Sequence, residues 1–176
     1  MRPDPGYGRA GGGFTLIEVI ATLVIVGMLA VFGTSMLSNV IQGYNSARNA
    51  DEVVQKAQMA LQRMTVEFSQ IVPQYATGSA TSITYNYNGE PNSIISQSGN
   101  RIVYQYNGTS YTLLDGVAAG SLRFTYFTNY NSTAMTSFAN NANVNLVGIT
   151  FNMQGDDTSI GVNQAYSTRV KLNKLQ

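Results

Sequence analysis

A chain of 176 residues with no cysteine and no histidine forms no disulfide and no zinc-thiolate centre, and it lacks the commonest general base. Charged residues make up 11% of it and the formal net charge is +1, which is no basic footprint for nucleic acid. Carboxylates, Ser, Tyr and Lys remain, but no recognisable catalytic spacing joins them, so no enzyme activity is expected.

Residues 1–13 are rich in Gly and Pro and carry Arg2 and Arg9 ahead of an apolar run that reaches about Leu37. A helix of about 24 residues at about 1.5 Å per residue is roughly 36 Å long, enough to cross a hydrocarbon core of about 30 Å. The arginines on the N-terminal side predict a cytoplasmic N-terminus and an external C-terminal domain. A secretory signal peptide would have a shorter apolar region followed by a small-x-small cleavage site. Here the run is longer and the small residues precede it. An uncleaved signal-anchor fits the hydropathy equally well. Glu18 is the only charged side chain between Arg9 and Arg48. A carboxylate inside a membrane span costs about 2.5–3.5 kcal/mol on insertion scales. Either it lies near the interface and reaches water, or it has a partner; the residues alone leave both open.

The stretch Gly13-Phe14-Thr15-Leu16-Ile17-Glu18 resembles the class III signal of type IV prepilins and type II secretion pseudopilins. The resemblance implies that a prepilin peptidase cuts between Gly13 and Phe14 on the cytoplasmic side and that Phe14 is then N-methylated. It also implies a partner for Glu18, the α-amino group exposed at Phe14 of a neighbouring subunit during filament assembly. Two buried opposite charges are costly apart and tolerable together, so such a pair would set register. Gly27, Leu29 and Ala30 are further matches within the same helix. Major pilins often carry a proline about two-thirds of the way along this helix, where this chain has Ser35. Gly33, Thr34 and Ser35 still form a patch of weak helix formers. Gly27 and Gly33 read equally as close-contact points for neighbouring helices or as glycines merely tolerated in a membrane helix.

Residues 39–72 continue as an amphipathic helix. Val53, Ala57, Ala60/Leu61, Met64, Phe68 and Ile71/Val72 recur at steps of three and four, and Asp51, Glu52, Lys56, Gln62, Arg63 and Glu67 fall largely elsewhere. This stripe is expected to pack on the C-terminal domain. Glu52 and Lys56 stand at i,i+4 in the favourable order. Gly43 is a candidate joint between the two halves. Pro73 ends the helix, because the residue before a proline is pushed out of α geometry.

Beyond Pro73 the period changes to two. Residues 83–87 form a candidate strand, with turn chemistry at 88–92. Residues 101–106 and 109–114 flank Asn107-Gly108, a hairpin signal because both turn positions need positive φ. Leu122, Phe124 and Tyr126 alternate in the next strand, and residues 129–143 read as a loop. Val147, Ile149, Phe151 and Met153 mark another strand, residues 154–161 a turn, and Tyr166, Thr168, Val170 and Leu172 the last strand. The expected fold is α+β, a long N-terminal helix laid on a C-terminal antiparallel sheet. This is also the type IV pilin-like layout. Segments 114–126 and 168–172 are similar to the C-terminal halves of J-class minor pseudopilins and W-class minor pilins. The missing cysteines depart from the disulfide-closed loop of major pilins.

The expected organisation is a leader at 1–13, a membrane and filament-core helix at 14–38, its amphipathic continuation at 39–72 and a sheet domain at 73–176. Asp156-Asp157, with Gly155, Thr158 and Ser159, is the best metal candidate, a calcium site on oxygen ligands; acidic turns of this kind are more often simply solvated, and no cofactor is otherwise expected. Tyr85, Tyr87, Tyr104, Tyr106, Tyr111, Tyr126 and Tyr130 read as half-buried strand positions with wet hydroxyls or, alternatively, as an adhesive face. The resemblance implies a minor pilin or pseudopilin at or near the tip of a type II secretion pseudopilus or type IV pilus. Its partners would be other pilins or pseudopilins, the prepilin peptidase, an inner-membrane assembly platform and membrane lipid, with no nucleic acid. It would start as a single-pass bacterial inner-membrane protein with a periplasmic C-terminal domain. The alternative is a tip binding module, an adhesin or DNA-uptake subunit.

Overall fold

The computed structural model describes residues 12–86, 92–154 and 163–173. One helix, α1 (Leu16–Gln70), carries both the apolar run and the amphipathic stretch without a break at Gly33 or Gly43. Hydroxyls at the weak patch bond back to the helix, Thr34 Oγ1 to the Ala30 carbonyl at 2.6 Å and Ser35 Oγ to the Phe32 carbonyl at 2.9 Å. Two units divide the chain, Met1–Asn45 and Ser46–Gln176. In the first, the described residues are exposed. The apolar stretch of α1 is long enough to cross a membrane and none of it is buried.

In the second unit α1 buries the predicted stripe, Val53, Ala57, Ala60, Met64 and Phe68. The helix stops at Gln70, Val72 is extended (φ −94°, ψ 116°), and Pro73 opens a short 3-10 turn, Pro73–Tyr75. Nine strands follow among the described residues: β1 (Ala76–Gly78), β2 (Ser82–Tyr85), β3 (Ser93–Ser98), β4 (Arg101–Tyr106), β5 (Thr109–Leu114), β6 (Arg123–Phe127), β7 (Phe138–Ala139), β8 (Leu146–Met153) and β9 (Gln164–Lys171). Their pairings are antiparallel.

The strands form two sheets rather than the one expected. The larger has the order β5-β4-β3-β2-β1-β7 and the smaller β6-β8-β9. The reading of 129–143 as loop needs correction too. Phe138 and Ala139 form β7 on the edge of β1, and Met135 makes an isolated bridge to Tyr126. The Asn107-Gly108 hairpin joins β4 to β5 as predicted, with φ of 47° and 79°. Tyr87, the turn at 88–91 and the turn at 155–161 lie outside the described residues.

One core joins both sheets to the helix. Phe68 meets Tyr85 edge-on at 6.4 Å and Phe124 at 5.8 Å, so a single helical ring touches β2 and β6. Tyr126 ties the sheets by donating its hydroxyl to the Ser79 carbonyl at 2.8 Å. Gly78 makes this possible, since a Cβ there would run into the Tyr126 hydroxyl and the Phe138 ring. Gln97 adds a second tie: its Nε2 donates to the Gly99 and Ala118 carbonyls and its Oε1 accepts the Leu122 N–H at 2.9 Å.

Candidate functional site

The predicted signal residues stand together where the apolar helix begins. Gly13 and Phe14 precede α1 and are exposed, Phe14 at 81%, and Glu18 is the only acidic residue of the first turn. The Glu18 N–H meets the Thr15 carbonyl at 3.1 Å and Thr15 Oγ1 at 3.3 Å, and the Val19 N–H meets the same carbonyl at 3.2 Å. Thr15 is therefore the N-cap, satisfying donors that a helix start leaves without partners. Thr-x-x-Glu ahead of an apolar run is the capping-box pattern, a local signal that the motif reading passes over. It gives Glu18 a local role: its carboxylate lies in the first turn, where the helix dipole favours negative charge. The side chain is exposed and makes no ion pair among the described residues. In the intact chain Phe14 has an amide nitrogen, so the cation that Glu18 is expected to meet exists only after a cut.

A second feature is a groove of about 630 Å³ in the Ser46–Gln176 unit, between α1 and β5. Met59, Ala60, Leu113 and Leu114 give it apolar walls, and Lys56, Arg63 and Asp115 ring it with charge. These charges are satisfied within the protein. Lys56 Nζ lies 3.2 Å from Glu52 and 3.2 Å from Asp115, and Arg63 lies 2.8 Å from Glu67. The Glu52–Lys56 pair matches the sequence reading. The Asp115 contact spans helix and sheet and left no local trace.

The tyrosines divide. Tyr85 is buried and its hydroxyl reaches Glu67 at 3.4 Å; Tyr104 is partly buried and bonds Ser93 at 3.1 Å. Burial pushes the Tyr126 phenol well above its ordinary 10.0. Tyr106, Tyr111 and Tyr130 are exposed. Half-burial with wet hydroxyls thus describes only part of the set. Asp156 and Asp157 lie outside the described residues. Among the described residues no group of three or more Asp, Glu, His or Cys is placed to hold a metal.

An exposed apolar helix that continues into an amphipathic half packed on antiparallel sheets is an α+β layout consistent with a pilin-like fold. Over 98 residues the chain is 30% identical to the type II secretion system protein J of Klebsiella pneumoniae. The aligned part takes in 48% of this chain and 50% of that protein, so the chain spans about half the length of this curated relative. No family model matches the chain, and no solved structure matches it significantly.

Proposed function

We propose that this chain is a minor pseudopilin or minor pilin, a structural subunit that enters a filament through the first half of α1. The observation that carries the reading is the exposed apolar stretch opening directly after Gly13-Phe14 with one carboxylate, Glu18, in its first turn. The similarity to a type II secretion protein supports a secretion pseudopilus over a type IV pilus. In this reading the precursor sits in the inner membrane with its N-terminus cytoplasmic. A prepilin peptidase removes residues 1–13 and Phe14 is methylated. Glu18 then meets the α-amino group of a neighbouring Phe14 as an assembly platform adds subunits, and the chain takes its place at or near the tip. The two charges are each costly in an apolar layer and offset one another when they meet.

The test has two arms. Mass spectrometry of protein from peptidase-positive cells should find a chain beginning at methylated Phe14; an intact Met1 terminus, or a cut beyond the apolar stretch, overturns the reading. Glu18→Ala should be processed normally yet fail to enter filaments. Wild-type incorporation would remove the pairing role while leaving the cleavage in place. A second reading, a tip binding module, is supported by the exposed rings of Tyr111 and Tyr130.

A further inference from the structure

The groove beside β5 has its charges paired internally, whereas the cations on the outer face of β6-β8-β9 have no carboxylate partner among the described residues. Residues alternate across this sheet, so Phe124, Tyr126, Val147, Ile149, Phe151 and Val170 face the core. The opposite face is built of three cross-strand rows: Arg123, Thr150 and Ser167; Thr125, Gly148 and Arg169; Phe127, Leu146 and Lys171. Arg123, Arg169 and Lys171 are all exposed on it. The one described carboxylate beyond Pro73 is Asp115, which is engaged by Lys56. Among the described residues none of the three cations has a carboxylate within 4.0 Å.

The central cation is held in place. The Arg169 guanidinium lies 4.4 Å from the centre of the Phe127 ring and 5.5 Å from that of Tyr130. Gly148 leaves the room: a Cβ there would sit against Thr125 Oγ1 and 3.3 Å from the Phe127 ring. Stacking on aromatic rings restricts the guanidinium, so less side-chain freedom is lost when a carboxylate binds. Residues two apart on one strand are about 6.7 Å apart, and β6 lies roughly 10 Å across from β9. Arg169, Lys171 and Arg123 therefore form a spread triangle of positive charge.

We propose that this sheet face docks an acidic protein surface, with carboxylates of the partner pairing with Arg169, Lys171 and Arg123. Exposed Arg and Tyr are the residue types that anchor protein interfaces. Three cations on a chain of pI about 7.9 fall short of the positive stripe that tracks a nucleic-acid backbone. This surface is distinct from α1 and goes beyond the assembly reading, which can fail without touching it.

The experiment uses the full chain in detergent and immobilised poly-L-glutamate as the probe, with a dT oligonucleotide of equal charge as comparison. Binding to poly-L-glutamate should weaken steeply between low and moderate salt. Arg169→Glu should weaken it about tenfold or more. Thr150→Glu, which adds a carboxylate to the middle strand, β8, beside Arg123 and leaves the Arg169 stack intact, should do likewise and covers the case in which Arg169→Glu fails to fold. Arg101→Glu on the other sheet should stay within about twofold of wild type. The proposal is overturned if poly-L-glutamate does not bind, if Arg101→Glu weakens binding as much as Arg169→Glu, or if the oligonucleotide binds more tightly at equal salt.

Discussion

The two halves of α1 share one backbone geometry and have opposite relations to their surroundings. Between Leu16 and Asn45 the side chains are exposed, including Leu16, Ile17, Leu23, Leu29 and Phe32, and no described residue covers them. From Val53 to Phe68 one stripe is buried against two sheets, and the remaining positions are exposed or half-buried and mostly polar. What sets their surroundings apart is the arrangement of their apolar residues. An all-round apolar helix needs lipid or other helices, and a striped one needs a single packed partner. The first half therefore tells of what lies outside the chain, and the second of the fold.

Core truncation gives the largest expected difference between them. Phe68→Ala removes a ring that touches β2 and β6 at once and should destabilise the sheet domain by about 3–5 kcal/mol, read from thermal or denaturant unfolding of the full chain in detergent. Leu23→Ala should leave that transition within about 0.5 kcal/mol of wild type. Similar losses at both positions would mean that the exposed half packs on the domain, and the contrast would collapse.

Periodicity makes this division legible in the sequence, because Val53 through Phe68 repeats at helical spacing and Pro73 stops it. The Asn107-Gly108 hairpin and the alternation of β8 are legible for the same reason, a local pattern with one backbone solution. What escapes is non-local. In β3 the core-facing positions are Ser93, Ile95 and Gln97, so polar residues stand where alternation leads one to expect apolar ones. Ser93 is buried and bonds Tyr104, and the half-buried Gln97 makes two bonds to chain segments far ahead of it, at Ala118 and Leu122, besides one to the nearby Gly99. β1 and β7 are too short to carry a period, and the split into two sheets depends on which strands meet. At the candidate site the signal residues are legible as a motif, while the Thr15 cap explains why a glutamate suits that turn. The cationic face cannot be read locally, because Arg123 and Arg169 come together only through β8.

A smaller effect tests how the two sheets are tied. Tyr126→Phe removes the bond to the Ser79 carbonyl and should cost about 1–2 kcal/mol at neutral pH. The sign with pH follows from burial. The folded-state pKa is raised above the unfolded value, so the folded protein keeps the phenolic proton where the unfolded chain, titrating near 10.0, releases it. That contribution is fully present below pH 10 and declines above it, by about 1.4 kcal/mol per pH unit. The gap between wild type and Tyr126→Phe should therefore be flat up to about pH 9 and close above pH 10. A gap that stays constant to pH 11 would mean that the phenol is free to ionise and that the tie is loose.

The smallest effect concerns how the second half of α1 is held to its sheet. Lys56 bridges the helix and the end of β5 through Asp115, yet it also has Glu52 at the same 3.2 Å, so either carboxylate can go while the ammonium keeps a partner. The Asp115 side chain is 45% exposed, and water and salt screen most of the pair's attraction. Asp115→Asn should therefore cost no more than about 0.5 kcal/mol, and less again in 0.5 M salt. A loss above about 2 kcal/mol that persists at high salt would make the ion bridge the main tie, and the buried stripe would no longer explain why this half of the helix is packed while the other is bare.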